Sequence, residues 1–202
     1  KATVLPLTED SINFVGITED GKKIYGEEQI TKCAKKIDYV MYDKDFTVNP
    51  KVYDALKSAD LIIFSSGSLL TSIVPHLIDK TLVKAINDVK APKMYVCNLF
   101  TQPGETDDFT VYDHIKYLEK YLGENKVNVV IANNTIMSSK LATKYASEEL
   151  KDPVIFDLKE FNNSDIQIIA DKLFTVEDGY YRHDSLKTAY LIFSYIMDGL
   201  KK

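Results

Sequence analysis

A chain of 202 residues with 45% hydrophobic and 27% charged side chains has a globular composition, which excludes a disordered protein. Its net charge of −5, from 25 basic and 30 acidic residues, excludes general nucleic-acid binding, which requires a basic face. No stretch approaches the ~20 consecutive apolar residues of a membrane span, and the N-terminus carries no signal-peptide pattern. Cys33 and Cys97 match no metal spacing, so we expect a cytoplasmic protein.

The opening segment, residues 1–48, predicts a β-rich subdomain or insertion. Asp20-Gly21 lies between two strand-like runs, which is typical of a hairpin with a type I′ turn. Residues 37–42 alternate between apolar and polar and predict a third strand. The chain begins abruptly in the strand-like residues 2–5, which we interpret as the start of a fragment of a longer protein.

Residues 49–202 predict an α/β domain. Its expected strands are residues 60–64, 94–97, 127–131 and 153–156. Helices are expected to begin at caps, which are Asn49, Thr110, Ser138 or Ser139, and Asp184. This alternation predicts a Rossmann-like, doubly wound, mostly parallel sheet covered on both faces. The last helix is expected to carry one apolar stripe, with Leu186, Tyr190, Phe193, Met197 and Leu200 facing one way.

In such sheets ligands bind beyond the carboxyl ends of the strands, where two loops are candidates. The first loop is Ser65-Ser66-Gly67-Ser68, which follows the predicted strand 60–64. Its backbone N–H groups and hydroxyls suit a phosphate, and the alternative is an ordinary turn with serine caps. No Gly-Lys-Ser/Thr follows and Gly-x-Ser-x-Gly is absent, so the loop is neither a Walker loop nor a nucleophile elbow.

The second loop, residues 98–108, is long and polar, as functional loops often are. Glu105 and Asp107 have the oxygen ligands to bind a divalent metal or to orient ribose hydroxyls. The alternative is a solvated loop whose acids cap the following helix. Both readings stay open at this point.

Outside the two loops, Arg182 follows Tyr180 and Tyr181, which is a candidate corner for stacking and phosphate pairing. The alternative is a surface arginine ahead of a helix. The three histidines do not cluster in the sequence, and we interpret each as a surface or capping residue: His76, His114 and His183.

Both candidate loops resemble segments of one protein family. Ser66-Gly67-Ser68-Leu69-Leu70-Thr71-Ser72-Ile73-Val74-Pro75 resembles Pro-Gly-Ser-Leu-Tyr-Thr-Ser-Ile-Ile-Pro of the YvcK group. Residues 96–107 resemble the segment of that group that ends Thr-Gln-Pro-Gly-Glu-Thr-Asp. Shorter matches fall at Lys144-Tyr145-Ala146 and Arg182-His183. The resemblance to this group, within the wider CofD-like family, covers nearly the whole chain.

The chain departs from the family pattern in three places. The family's opening glycine-rich Rossmann strand, with the Asp-Asp-Gly-Gly segment after it, does not occur here. The family's Gly-Pro-Gly-Ser is residues 65–68 here, which keep the second glycine and lose the proline. The family's Thr-Asp-Gly-Tyr is Thr106-Asp107-Asp108-Phe109, so the fine geometry of the second loop is expected to differ.

The resemblance implies a cytoplasmic regulator that binds a UDP-sugar such as UDP-N-acetylglucosamine. Such a protein governs carbon flow into envelope precursors and is needed for cell shape on gluconeogenic carbon sources. The implied protein partner is an enzyme of amino-sugar or envelope-precursor synthesis; no cofactor is implied, and homo-oligomerisation stays open. The alternatives are a phosphotransferase resembling 2-phospho-L-lactate transferase, with Glu105 or Asp107 holding a metal, and a purely structural interaction protein.

The ligand-binding residues are therefore predicted from the two loops and two of the shorter matches. They are Ser66, Gly67, Ser68, Thr71, Asn98, Thr101, Gln102, Gly104, Glu105, Thr106, Asp107, Tyr145 and Arg182. We expect the loops to line one cleft, with Gly67 and Thr101 on the same sheet edge. Glu105 and Asp107 are expected to orient the ligand without a catalytic metal, and no catalytic residue is predicted. Tyr145 is expected to offer a flat face and a hydroxyl, and Arg182 a planar fork to the diphosphate.

Overall fold

The computed structural model describes residues 2–33 and 35–199. Its N-terminal part is an antiparallel sheet of β1 (Phe14–Thr18), β2 (Lys23–Tyr25) and β3 (Ile37–Tyr42), in the order β2-β1-β3. The predicted hairpin and third strand are thus confirmed. Only Gly21 has a positive φ in the turn, at 78°, so the turn is not type I′. A short helix that was not predicted, α1 (Glu27–Thr31), buries Ile30 under this sheet.

The central sheet is parallel and consists of β4 (Ile62–Phe64), β5 (Lys93–Val96), β6 (Val129–Asn133) and β7 (Gln167–Asp171), in that order. The α/β prediction is confirmed, and β5 is buried at every residue. The predicted strand at residues 153–156 is wrong, because that segment makes only an isolated antiparallel bridge between Pro153 and Phe100. Proline has no N–H for a ladder, and β7 supplies the fourth strand instead.

Five longer helices connect and cover the strands: α2 (Pro50–Lys57), α3 (Lys80–Asp88), α4 (Val111–Leu122), α5 (Ser139–Glu148) and α6 (Ser185–Gly199). The predicted caps are present at Asn49 and at Thr110, where Thr110 and Asp113 form a reciprocal capping box. Between β4 and α3 the chain makes a π-helical turn, Leu69–Ile73, and a 3₁₀ turn, Val74–Leu77. No helix in the described part of the chain combines the length and apolar character needed to cross a bilayer.

A second antiparallel hairpin precedes α6 and was not predicted. Its strands are β8 (Phe174–Glu177) and β9 (Tyr180–His183). Asp178 and Gly179 occupy the turn with φ angles of 52° and 77°, so both central residues have the positive φ of a type I′ turn. The Asp-Gly signal was therefore present here in the sequence and went unused.

Both faces of the central sheet are covered, as expected, because alternate residues of its strands enter two separate cores. Tyr95 and Cys97 face α3, α4 and the N-terminal sheet. Met94 and Val96 face a second core of α5, the β8–β9 hairpin and α6. These two layers leave the carboxyl ends of the strands free to carry loops.

The apolar stripe predicted on the last helix faces solvent. Leu186 is 84% exposed, Tyr190 64% and Phe193 62%. The helix instead packs through partly buried Leu191, Ile192 and Tyr195. Its residues are apolar on several sides, so periodicity alone does not select the buried face. Leu200 lies outside the described residues.

Candidate functional site

A cavity of about 410 Å³ opens at the carboxyl ends of the parallel strands, a volume within the usual range of small-molecule sites. It lies where the loops after β4 and β5, the end of α5 and strand β9 meet. Its walls are Ser66, Gly67, Ser68, Asn98, Leu99, Phe100, Thr101, Gln102, Tyr145, Glu149, Lys151, Tyr180, Tyr181, Arg182 and His183. A larger cavity of about 560 Å³ lies elsewhere, between β3 and the start of α3, away from both loops.

The first loop is shaped by Ser68, which caps the π-helical turn. Its Oγ accepts hydrogen bonds from the Thr71 backbone N at 3.1 Å and from the Thr71 Oγ1 at 2.7 Å. At Gly67 a Cβ would lie 2.9 Å from the Ser72 Cβ, so a side chain there would require something to shift. The glycine therefore permits a tight turn that presents residues 66–68 to the cavity.

The second loop is tied to the first and to the segment after α5. The Asn98 side chain donates to the Gly67 carbonyl at 3.0 Å. Thr101 donates its N–H to the Asp152 carbonyl at 2.8 Å, and the Thr101 hydroxyl accepts the Asp152 N–H at 3.0 Å. Gly67 and Thr101 thus line one cavity, as the strand arrangement predicts.

Glu105 does not lie on the cavity wall; it holds the first loop from behind. Glu105 is 5% exposed, and its carboxylate accepts hydrogen bonds from the Ser68 hydroxyl at 2.6 Å and from the Leu70 backbone N–H at 3.4 Å. Burial raises the pKa of the Glu105 carboxyl, and the two hydrogen bonds partly oppose that shift.

Four further predicted residues also lie off the cavity wall. Thr71 is bonded to Ser68, and the Thr106 hydroxyl accepts the Gln102 N–H at 2.9 Å. Asp107 accepts the Gly104 N–H at 2.8 Å, and Gly104 packs with positive φ against the backbone carbonyls before β3. These side chains shape the loop, and direct ligand contact by Thr71, Gly104, Glu105, Thr106 and Asp107 stays a prediction.

An aromatic wall closes one side of the cavity. The rings of Phe100 and Tyr145 stack with centroids 4.2 Å apart and planes 14° from parallel. The buried Tyr145 hydroxyl accepts the Tyr181 N–H at 2.9 Å and so joins α5 to β9. Tyr180 is more exposed, and the Lys144 Nζ lies 4.1 Å from the centre of its ring. A planar ligand could therefore stack on this wall, whereas the Tyr145 hydroxyl already has partners.

Cations and one carboxylate line the cavity next to the aromatic wall, where the Arg182 guanidinium lies 5.8 Å from the centre of the Tyr180 ring. Arg182 and Lys151 line the cavity together with Glu149 and His183. The His183 Nδ1 is buried and has no hydrogen-bond partner among the described residues. Burial lowers the pKa of His183, which favours a neutral imidazole that can donate to or accept from a ligand. This set gives the cavity groups for both anionic and hydroxyl-bearing ligands.

Sequence reasoning missed Lys151 and Glu149, and it interpreted His183 as a surface or capping residue. The Asp178-Gly179 turn was the signal for the hairpin that brings His183 and Tyr180 into the cavity. The surface interpretation is wrong for His114, which is fully buried, stacks beside Tyr95 and forms a hydrogen bond with the Thr110 carbonyl through Nδ1 at 2.8 Å. Across residues 2–33 and 35–199, no cluster of three or more His, Cys, Asp or Glu residues has metal-binding geometry.

Comparison with protein families matches residues 1–174 to the model described as "2-phospho-L-lactate transferase CofD". A relative from Thermotoga maritima, named "Putative gluconeogenesis factor", is 40% identical over 199 residues, covering 95% of this chain and 62% of the relative. The Bacillus subtilis protein named "Gluconeogenesis factor" is 32% identical, with 95% and 61% of the two chains covered. The chain thus spans about three-fifths of the length of these relatives.

Solved structures of a related protein have the same fold as this chain. A crystal structure of a Bacillus halodurans protein superposes with a TM-score of 0.85 at 33% sequence identity. The match covers 94% of this chain and 61% of the other. A second crystal structure of the same Bacillus halodurans protein, described as a member of the upf0052 family, gives the same TM-score over 93% of the chain.

Proposed function

Since the chain belongs to the CofD family, with relatives of the YvcK group named gluconeogenesis factors, we propose that it binds a UDP-sugar as a cytoplasmic regulator. UDP-N-acetylglucosamine is the first candidate ligand. Binding would report the supply of envelope precursors, and the regulated partner would be an enzyme of amino-sugar or envelope-precursor synthesis. Cell shape on gluconeogenic carbon sources would depend on that control.

The observation that carries this proposal is the meeting of three kinds of group in one 410 Å³ cavity. The aromatic wall of Phe100, Tyr145 and Tyr180 suits a planar base or a sugar face. Arg182 suits a diphosphate, because a guanidinium fork pairs with two phosphate oxygens. The serine-glycine loop adds hydroxyl and backbone donors that suit phosphate or sugar oxygens.

Titration calorimetry of this chain with UDP-N-acetylglucosamine, UDP-glucose, UDP and GDP tests the proposal. Saturable binding of a UDP-sugar, tighter than that of GDP, is the expected result. A thermal-shift series over the same ligands provides an independent reading, because a ligand that binds the folded state raises the melting temperature. Absence of binding by all four ligands would refute a nucleotide-sugar function for this chain.

The second candidate is a phosphotransferase, which the description of the matching family model favours. Glu105, proposed as a metal ligand in that reading, is engaged by Ser68 and Leu70 behind the loop. Incubation with nucleotide-activated phospholactate and a deazaflavin acceptor, with and without Mg²⁺, distinguishes the two functions. Formation of a phosphodiester product with enzyme-dependent turnover would establish the transferase.

A further inference from the structure

Two charged residues that follow α5, Glu149 and Lys151, line the cavity beside Arg182 and form an ion pair with each other. The Lys151 Nζ lies 2.8 Å from the Glu149 Oε2, and the side chains are 33% and 35% exposed. An ion pair whose side chains are each about one-third exposed contributes little stability, because water still reaches both partners. Lys151 can therefore exchange its carboxylate partner for a more highly charged anion at little cost.

The backbone holds both residues at the cavity through a defined turn. Leu150 between them has a positive φ of 54°. The N–H groups of Glu149 and Lys151 both donate to the Tyr145 carbonyl, at 2.9 and 3.3 Å. This closes the end of α5 in the left-handed manner of a helix C-cap. The two side chains are thereby anchored to the helix that carries the stacked Tyr145.

The segment after Lys151 is also fixed to a cavity wall. Asp152 and Thr101 exchange two hydrogen bonds, at 2.8 and 3.0 Å. Val154 donates its N–H to the Leu99 carbonyl at 3.0 Å. Lys151 therefore stands between two anchored segments, so its position beside the second loop does not depend on the Glu149 pair.

We propose that Lys151 is a phosphate-binding cation of the cavity, acting with Arg182 on a diphosphate, and that Glu149 holds it in the empty state and competes with the ligand. This inference rests on the proposed binding of a nucleotide sugar. An ammonium group is a compact cation with three donors, which complements the bidentate fork of arginine on adjacent phosphates. Glu149 would favour release by recapturing Lys151 when the diphosphate leaves.

Opposite effects of two charge-neutralising substitutions test the exchange. Lys151→Gln is expected to raise the Kd for UDP-N-acetylglucosamine about tenfold, since it removes a charge-assisted contact. Glu149→Gln is expected to lower the Kd about threefold, since it removes the competing carboxylate. Lys84→Gln is the matched control: Lys84 pairs with Asp88 on the exposed face of α3, away from the cavity, and its removal should leave affinity unchanged.

The same variants are titrated with inorganic pyrophosphate, which carries the anion without the nucleoside. Pyrophosphate binding by the wild type that is lost in Lys151→Gln supports the phosphate-binding role of Lys151. If the wild type binds pyrophosphate but no nucleotide sugar, only the proposed function is refuted. UDP-N-acetylglucosamine binding that is unchanged in both variants, or weakened in both, overturns the exchange and leaves the proposed function intact. Wild-type protein that binds neither probe overturns both proposals.

Discussion

Removing the Tyr145 hydroxyl distinguishes a structural role for that group from direct ligand contact. The hydroxyl accepts the Tyr181 N–H at 2.9 Å and lies 3.4 Å from the Tyr181 carbonyl, while the side chain is 6% exposed. Tyr145→Phe keeps the ring and its stack on Phe100. It leaves the N–H of Tyr181, in strand β9, without this acceptor in a buried position.

A buried donor left without a partner lowers the free energy of unfolding by about 1–3 kcal/mol. For a chain of this size each kcal/mol corresponds to about 2–4 °C in melting temperature, so the expected decrease is about 2–12 °C. Because the hydroxyl is engaged by β9, the affinity for UDP-N-acetylglucosamine should change by less than about threefold.

Urea unfolding followed by circular dichroism measures the stability change, and titration calorimetry measures the affinity. Tyr190→Phe is the matched control, because Tyr190 is 64% exposed on α6 and its variant should stay within about 0.5 kcal/mol of wild type. An unchanged free energy of unfolding together with a tenfold loss of affinity would refute the structural role and assign the hydroxyl to the ligand.

Two further predictions concern Arg182 and Glu105. Arg182→Ala should weaken UDP-N-acetylglucosamine binding about tenfold to a hundredfold, because a charge-assisted hydrogen bond contributes about 1.5–3 kcal/mol. Calorimetry with a melting control checks this, and unchanged affinity in a folded variant would remove Arg182 from the site. Glu105→Gln should alter the pH dependence of stability. The pKa of buried Glu105 is raised above its ordinary 4.5, so the folded protein binds the Glu105 proton more tightly than the unfolded chain does. Proton binding by Glu105 therefore stabilises the folded state fully below pH 4.5, and this stabilisation is lost as pH rises through the folded pKa. Unfolding of both proteins from pH 4 upward should therefore show wild-type stability falling relative to the Gln variant; a difference that stays constant or grows would contradict the buried carboxylate.

Much of the architecture could be read from local sequence signals, because these signals act over a few residues. Asn49-Pro50 and the Thr110–Asp113 capping box begin their helices as predicted, since each satisfies backbone N–H groups within one turn. The alternation of short apolar runs with helices predicted the parallel sheet, and topology then brought the first two loops to one edge. Gly67, Asn98 and Thr101 were found in this way, whereas Arg182 was found from its position after Tyr180 and Tyr181 and from the family resemblance.

Only the tertiary structure decided the features that depend on long-range packing. Residues 153–156 and Gln167–Asp171 both look like short strands, and the choice between them was made by pairing with β6. The exposed stripe of α6 has the same period as its buried side, so contact with the second core selects the face. Glu105 turns inward because Ser68 and Leu70 offer it partners 37 and 35 residues away in sequence. Lys151 reaches the cavity because Thr101 clamps Asp152, 51 residues along the chain, and no periodicity encodes a contact over that separation.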